Sequence, residues 1–293
     1  MKGGVSLKAD RKPHWLKMPT LGGESAGEVR KIIREHRLNT VCDQAGCPNR
    51  GHCYQRGTAT FLILGNICTR SCLYCAIEKN VASPPPPDPG EPERVAVAAS
   101  LMKLRYVVLT SVTRDDLEDG GAAHFARTVK ALKAAIPGVR VEVLTPDFSG
   151  SAGSLEILAD SRPAVFNHNI ETVERLFPEL RPVASYRQSL GVLSRFRGIA
   201  PDIPVKSGLM VGLGETEKDL LSSLEDLRES GVSLLTIGQY LQPTSKHIPV
   251  KRFLEPWEFE EWEHRALEMG FSGVASGALV RSSYHADLLQ ETT

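Results

Sequence analysis

Six short apolar runs punctuate the chain from residue 60 onward: TFLILG at 60–65, YVVLT at 106–110, RVEVL at 140–144, AVFN at 164–167, VKSGLMV at 205–211 and LLTIG at 234–238. They are rich in Val, Ile and Leu without clean polar alternation, as expected of strands buried on both faces of a parallel sheet. Between and after them, apolar residues recur at helical spacing over 93–104, 122–136, 154–160, 186–198 and 215–230, with stop signals at Pro137-Gly138 and Gly231. Strand–helix alternation of this kind predicts a parallel sheet with right-handed crossovers. Six such units make a partial (β/α)6 barrel. A doubly wound open sheet shares the pattern, and periodicity alone does not choose between them.

Two regions fall outside the repeat. Residues 1–59 carry three cysteines and many Gly, Pro and Asn residues, and read as an extension folded onto a barrel core of 60–255. SPPPPDPGEP at 83–92 cannot form helix or sheet and is expected as a stiff extended connector. A last helix at about 256–269 opens a C-terminal extension, 256–293. Within it, residues 271–281 are expected to return along the surface or across one barrel mouth.

The 293 residues suffice for a large core, and 35 basic against 35 acidic side chains give zero net charge. That balance argues against a nucleic-acid partner. No apolar run is long enough to span a bilayer, and the polar, basic first 19 residues lack the apolar core of a secretory signal. The expectation is a cytoplasmic protein with no membrane partner. All six cysteines lie between Cys42 and Cys75. A disulfide framework belongs to small secreted domains, so thiols packed this densely read as metal ligands.

The second triplet, Cys68-x3-Cys72-x2-Cys75, starts three residues after the first expected strand. Loops at the C-terminal ends of barrel strands are where barrel active sites are built. Three thiolates so close can hold three irons of a 4Fe–4S cluster and leave the fourth open to a chelating ligand. Zinc is the competing reading, with His52 as a nearby fourth ligand. The spacing, with Tyr74 just before the last cysteine, resembles the signature of the radical S-adenosylmethionine superfamily. That resemblance implies a reduced cluster that cleaves S-adenosylmethionine to a 5′-deoxyadenosyl radical.

The first triplet, Cys42-x4-Cys47-x5-Cys53, is of moderate specificity alone. The two triplets together resemble the lipoyl synthase family. The resemblance implies two 4Fe–4S clusters, an auxiliary one on Cys42, Cys47 and Cys53 and the catalytic one on Cys68, Cys72 and Cys75. Arg281-Ser-Ser-Tyr-His-Ala286 is similar to the family's terminal motif, whose second serine is an oxygen ligand to the auxiliary cluster. Carried over, that ligand is Ser283, with Ser282 left open by spacing alone and Arg281 placed near the same cluster. The family likeness runs from about residue 13 to residue 287. It further implies a substrate, an octanoyl chain on a lysine of a lipoyl carrier domain, that receives two sulfurs at C6 and C8. Two molecules of S-adenosylmethionine, sulfur from the auxiliary cluster and an external electron donor complete the implied reaction.

Polar residues at expected strand ends are candidates to hold S-adenosylmethionine: Ser111, Glu142, Asn167, Asn169 and Lys206, with Tyr74 near its adenine. Each reads equally well as a capping or satisfied polar group beneath the barrel rim. His168 reads as structural, because this chemistry needs no imidazole base. Gly212-x-Gly214-Glu215-Thr216 is similar to a phosphate loop but lacks its Lys, and is expected as a strand-to-helix turn capped near Glu215 or Thr216. The alternatives are a sulfur-inserting relative with another substrate, an iron–sulfur electron carrier, and a zinc-stabilised scaffold.

Overall fold

The computed structural model describes residues 12–17, 24–55, 59–79, 84–283 and 286. Ser83 of the proline-rich connector, Tyr284 and His285 of the terminal motif, and parts of the N-terminal extension lie outside the described residues.

Strand β1 (Asn39–Thr40) and β2 (Thr60–Ile63) are followed by a separate short pair, β3 (Ile67–Cys68) and β4 (Glu78–Lys79). Then come β5 (Tyr106–Ser111), β6 (Arg140–Leu144), β7 (Val165–Asn167), β8 (Val205–Val211), β9 (Leu234–Gln239) and β10 (Gly273–Gly277). The eight-stranded main sheet runs β1-β2-β5-β6-β7-β8-β9-β10, parallel throughout except for β1 against β2. The six apolar runs thus form the six central strands.

The strand order decides between the two architectures. From β2 to β10 each parallel strand lies beside its predecessor in that sheet, and the order never reverses. A doubly wound sheet reverses at a switch point. With no reversal, every right-handed crossover falls on the same face and the sheet curls into a barrel. The barrel is partial, since β1 and β10 are its two edges.

The N-terminal helices α1 (Glu24–Glu35), α2 (Val41–Gln44) and α3 (Arg50–Gln55) precede the barrel. The crossover helices α4 (Glu91–Leu101), α5 (Ala122–Ala135), α6 (Ala152–Asp160), the short α7 (Phe177–Leu180), α8 (Tyr186–Ile199), α9 (Glu217–Glu229) and α10 (Pro256–Glu268) follow. In α1, Ala26, Val29 and Ile33 form a buried stripe, at the spacing that makes one helix face. It packs on α3 and α4. The turn at Gly212–Thr216 is capped as the sequence suggests. Glu215 accepts from the amides of Gly212 (2.6 Å) and Leu213 (2.9 Å), and Thr216 forms a capping box with Asp219.

Two expectations need correction. The connector expected over 83–92 ends early, because Glu91 and Pro92 already form the first turn of α4, where a proline removes no intrahelical bond. Residues 271–281 are not all surface return, because Gly273–Gly277 is a parallel strand registered on β9. Its sequence, GVASG, is only half buried and nearly free of large apolar side chains, so it gives little strand signal. Beyond it the chain passes against β9 and β8, with the Val280 carbonyl beside Gly238 and Ser282 Oγ beside Gly208.

Candidate cluster and cofactor site

The loop bearing Cys68, Cys72 and Cys75 is tied down from several directions. Its centre is Arg70, buried and held in two forks. Nε and Nη2 donate to Asp115 (2.8 and 2.7 Å), while Nη1 and Nη2 donate to Asp147 (both 2.8 Å). Asp115 follows β5 and Asp147 follows β6, so one guanidinium pins the loop to two neighbouring strand ends. Bidentate pairing of this kind fixes orientation as well as distance. Burial alone would raise the Asp147 carboxyl, but the Arg70 hydrogen bonds and charge bring it down to about 2. The Thr69 amide donates to the Thr113 carbonyl (3.1 Å) and the Leu73 amide to the Leu180 carbonyl (3.0 Å). Lys79 Nζ holds the Cys72 carbonyl at 2.8 Å, and the Arg70 amide points at Cys68 Sγ at 3.4 Å.

The first triplet is built on two short helices. Thr40 caps α2 by accepting from the Asp43 amide (3.2 Å), and the Tyr54 hydroxyl in α3 donates to Asp43 (2.7 Å). This joins the helix carrying Cys42 to the one carrying Cys53, with Cys47 in the turn between. Burial pushes the Cys42 thiol up to about 12, with Cys47, Cys53 and Asp43 adding to the rise. Cys47 is raised by burial too, with Arg281 and Arg50 opposing. In the second triplet, burial pushes Cys75 to about 11, with Cys72, Cys68 and Glu171 adding. All six thiols are free. Among the described residues, no three His, Cys, Asp or Glu side chains converge closely enough for a single metal ion.

These donor sets fit the implied clusters. In each triplet one thiol lies within electrostatic range of the other two, Cys42 of Cys47 and Cys53, and Cys75 of Cys72 and Cys68. Buried thiols with raised pKa values lose their protons to a strong Lewis acid such as cluster iron.

The terminal segment meets the barrel mouth through a buried network. Glu142 (0 % exposed) accepts from the Tyr106 hydroxyl (2.7 Å), Asn167 Nδ2 (2.8 Å) and Lys206 Nζ (3.0 and 3.2 Å). Lys206 (1 % exposed) also donates to the Ser282 carbonyl at 2.7 Å. Asn169 Nδ2 donates to the Ser282 hydroxyl (2.7 Å), which donates back to Asn169 Oδ1 (3.0 Å). Gly208 makes room: a Cβ there would lie 3.1 Å from Ser282 Oγ, 3.0 Å from Asn169 Oδ1 and 2.4 Å from Thr236 Oγ1. Gly238 does the same for the Val280 carbonyl, 2.3 Å from where its Cβ would stand. From the other side, Asn49 in the first-triplet loop donates to the Leu279 carbonyl at 2.7 Å.

Several buried polar atoms lack partners among the described residues. Ser111 Oγ, Asn167 Oδ1, His168 Nε2 and Ser276 Oγ are among them. Such groups are costly unless something bonds them. Ser111 and Asn167 end β5 and β7, and Ser276 lies in β10, so the mouth offers S-adenosylmethionine unsatisfied polar atoms. That donor set fits the cofactor. His168 Nδ1 donates to the Thr145 carbonyl (2.9 Å), which leaves Nε2 as a bare acceptor. Burial, with Arg181 nearby, lowers its pKa to about 4.

The structure therefore sorts the sequence candidates. Ser111 and Asn167 retain unpartnered oxygens, whereas Lys206 is fully engaged with Glu142 and Ser282, and Glu142 with Lys206, Tyr106 and Asn167. Tyr74 packs partly buried against the core, within range of Cys72, Cys75 and Glu171, and burial pushes its phenol well above the usual range. Of the two serines, Ser282 is the one turned to Asn169. Glu171 was not a candidate in the sequence. Burial raises its carboxyl, and it lies within electrostatic range of Arg181 and Arg281 as well as of Cys75. No local signal could have found it, since it lies beyond the end of β7 with a positive φ. Arg281 in turn acts on Cys47, and burial lowers its own pKa.

The model for the radical S-adenosylmethionine superfamily matches residues 62–227. The lipoyl synthase of Methylococcus capsulatus is 53% identical over 278 residues, 94% of this chain and 86% of that protein. That of Chlorobium phaeovibrioides is 53% identical over 94% of this chain and 96% of its own length. The Haemophilus influenzae protein is 50% identical over 95% and 87%. The chain belongs to the lipoyl synthase family. It is a radical S-adenosylmethionine enzyme that inserts sulfur, and its cofactors are 4Fe–4S clusters and S-adenosylmethionine. Among solved structures, the FeFe-hydrogenase maturase from Carboxydothermus hydrogenoformans superposes with a TM-score of 0.56 at 15% identity, over 91% of this chain and 60% of that one. Coproporphyrinogen III oxidase from Escherichia coli does so at 0.54 and 13%, over 78% and 57%. At such identities the likeness concerns the fold alone.

Proposed function

We propose that the six cysteines divide as their spacing suggests, within an enzyme that inserts two sulfurs into a protein-bound octanoyl chain. Cys68, Cys72 and Cys75 hold the catalytic cluster, and Cys42, Cys47, Cys53 and Ser283 hold the auxiliary one. Residues 1–59 and 256–293 then serve as two extensions bearing auxiliary-cluster ligands around a core of 60–255. The observation that carries this reading is that Asn49, between Cys47 and Cys53, holds the Leu279 carbonyl at 2.7 Å, which ties the first-triplet loop to the segment that bears Ser283.

When bound, S-adenosylmethionine and the catalytic cluster supply a 5′-deoxyadenosyl radical, and the auxiliary cluster supplies sulfur. The chain's own task is positioning and exclusion of water. Arg70 holds the catalytic loop against Asp115 and Asp147. Ser111, Asn167 and Glu171 bind the polar parts of the cofactor, Tyr74 borders its adenine, and Arg281 balances charge beside the auxiliary cluster. An octanoylated lipoyl carrier domain is the substrate partner and an external donor supplies electrons. The cytoplasm is the compartment this reading assigns, because free thiols and clusters need reducing conditions.

Anaerobic reconstitution tests the reading. About eight irons per chain, 5′-deoxyadenosine and two sulfurs added to an octanoylated carrier peptide, read by mass spectrometry, are the expected results. Iron and 5′-deoxyadenosine without sulfur transfer would redirect the search to another substrate. Zinc in place of iron would end it.

A further inference from the structure

Lys206 has three N–H donors, and all three are engaged within the protein: two on the Glu142 carboxylate and one on the Ser282 carbonyl. Glu142 is equally complete, with the Tyr106 hydroxyl and the Asn167 amide on its remaining lone pairs. A buried ion pair is weak evidence for stability, since apolar side chains of the same volume often serve as well. A pair whose lysine reaches out to one backbone carbonyl of a distant segment has a task that apolar residues could not perform. That carbonyl belongs to Ser282, 76 positions along the chain and next to Ser283.

The remaining contacts converge on the same segment. Asn169 exchanges two hydrogen bonds with the Ser282 hydroxyl. Asn49 holds the Leu279 carbonyl, and Gly208 and Gly238 are bare where the segment passes.

We propose that Lys206, backed by Glu142, latches the C-terminal segment across the barrel mouth and thereby sets the position of Ser283. Lys206 and Asn169 are on this account positioning residues, not contacts of S-adenosylmethionine. The proposal rests on the reading that Ser283 belongs to the auxiliary cluster, and it joins that ligand mechanically to the strand ends that line the cofactor site.

Hydrogen exchange of the full chain, with and without reconstituted clusters, tests the latch. Lys206→Met should speed exchange of the amides of residues 279–283 by about tenfold or more, as loss of a charge-assisted bond implies. The effect should appear in the cluster-free protein too. If Lys206→Met leaves Glu142 too poorly solvated for folding, the double variant Glu142→Gln/Lys206→Met carries the test with a neutral pair. Ser282→Ala, which removes only the hydroxyl tie, should give a smaller acceleration of a few fold. In the reconstituted variants, about half of the iron should pass faster to a ferrous chelator. Faster exchange with unchanged iron release would uphold the latch and overturn the role of Ser283. Unchanged exchange, with S-adenosylmethionine affinity lost in equilibrium dialysis, would overturn the latch and make Lys206 a cofactor contact.

Discussion

His247 donates its Nε2 proton to the backbone carbonyl of Cys75 at 3.1 Å, across 172 positions of sequence. A carbonyl can only accept, so the tautomer is fixed and Nδ1 accepts from the Thr244 hydroxyl at 2.9 Å. The loop following β9 thereby straps the last cysteine of the second triplet.

Removing the strap with His247→Ala deletes one hydrogen bond, worth about 1 kcal/mol. Formation of 5′-deoxyadenosine should slow by about fivefold, and the second-triplet cluster should lose iron to a chelator faster. Rates equal to those of the unaltered enzyme would show that the loop is held without it.

Arg70→Lys replaces two forks with one point charge, leaving carboxylates at Asp115 and Asp147 incompletely paired. Asp147 is 0 % exposed, so the loss should be about 3 kcal/mol. The urea midpoint should fall accordingly, and cluster incorporation at the second triplet should fall with it. A midpoint within error of the original would contradict the anchoring role.

The same pair sets an acid limit. The Asp147 carboxyl is depressed to about 2 in the folded protein, below an ordinary value near 3.9. Its stabilisation, about 2 kcal/mol, is complete above pH 4 and is lost as pH falls towards 2. Asp147→Asn should flatten that part of the stability profile, as measured by denaturation in acid.

His168 works over a higher range. Its imidazole is held neutral to about pH 4 in the fold, while the unfolded chain protonates near 6.5. Stability should therefore drop by about 3 kcal/mol as pH falls from 6.5 to 4. His168→Gln should remove that dependence. Ring resonances followed by NMR should show no His168 titration between pH 5 and 8.

The triplets predict different failures. Alanine at Cys68, Cys72 or Cys75 should abolish cofactor cleavage. Alanine at Cys42, Cys47 or Cys53 should leave cleavage detectable while dithiolane product disappears, both read by mass spectrometry. Dithiolane from a first-triplet variant would remove the auxiliary role.

Much of this was legible in the sequence where the signal is local. The six apolar runs form six adjacent strands because both faces of a parallel sheet are covered, which makes Val, Ile and Leu nearly continuous. Cysteine spacing is likewise local, and both triplets stand on short connected segments. The strand GVASG escaped because small residues pack without an apolar signature. What joins distant positions stayed hidden. Arg70 and Asp147 lie 77 positions apart, and nothing in either neighbourhood announces the other. Nor does a lysine inside a strand announce in its own neighbourhood that it meets a backbone carbonyl 76 positions away, as Lys206 does.

The Asn49–Leu279 bond spans 230 positions. Closing so long a loop costs conformational entropy that only prior assembly of the intervening strands can offset. The first cysteine helices and the terminal segment are thus expected to meet late, after the barrel has curled. An emerging chain exposes Cys42, Cys47 and Cys53 long before Ser283 is synthesised. On the proposed ligation, maturation of the auxiliary site becomes a final step of folding, and full metal loading there would report that the chain has closed through to Ser283.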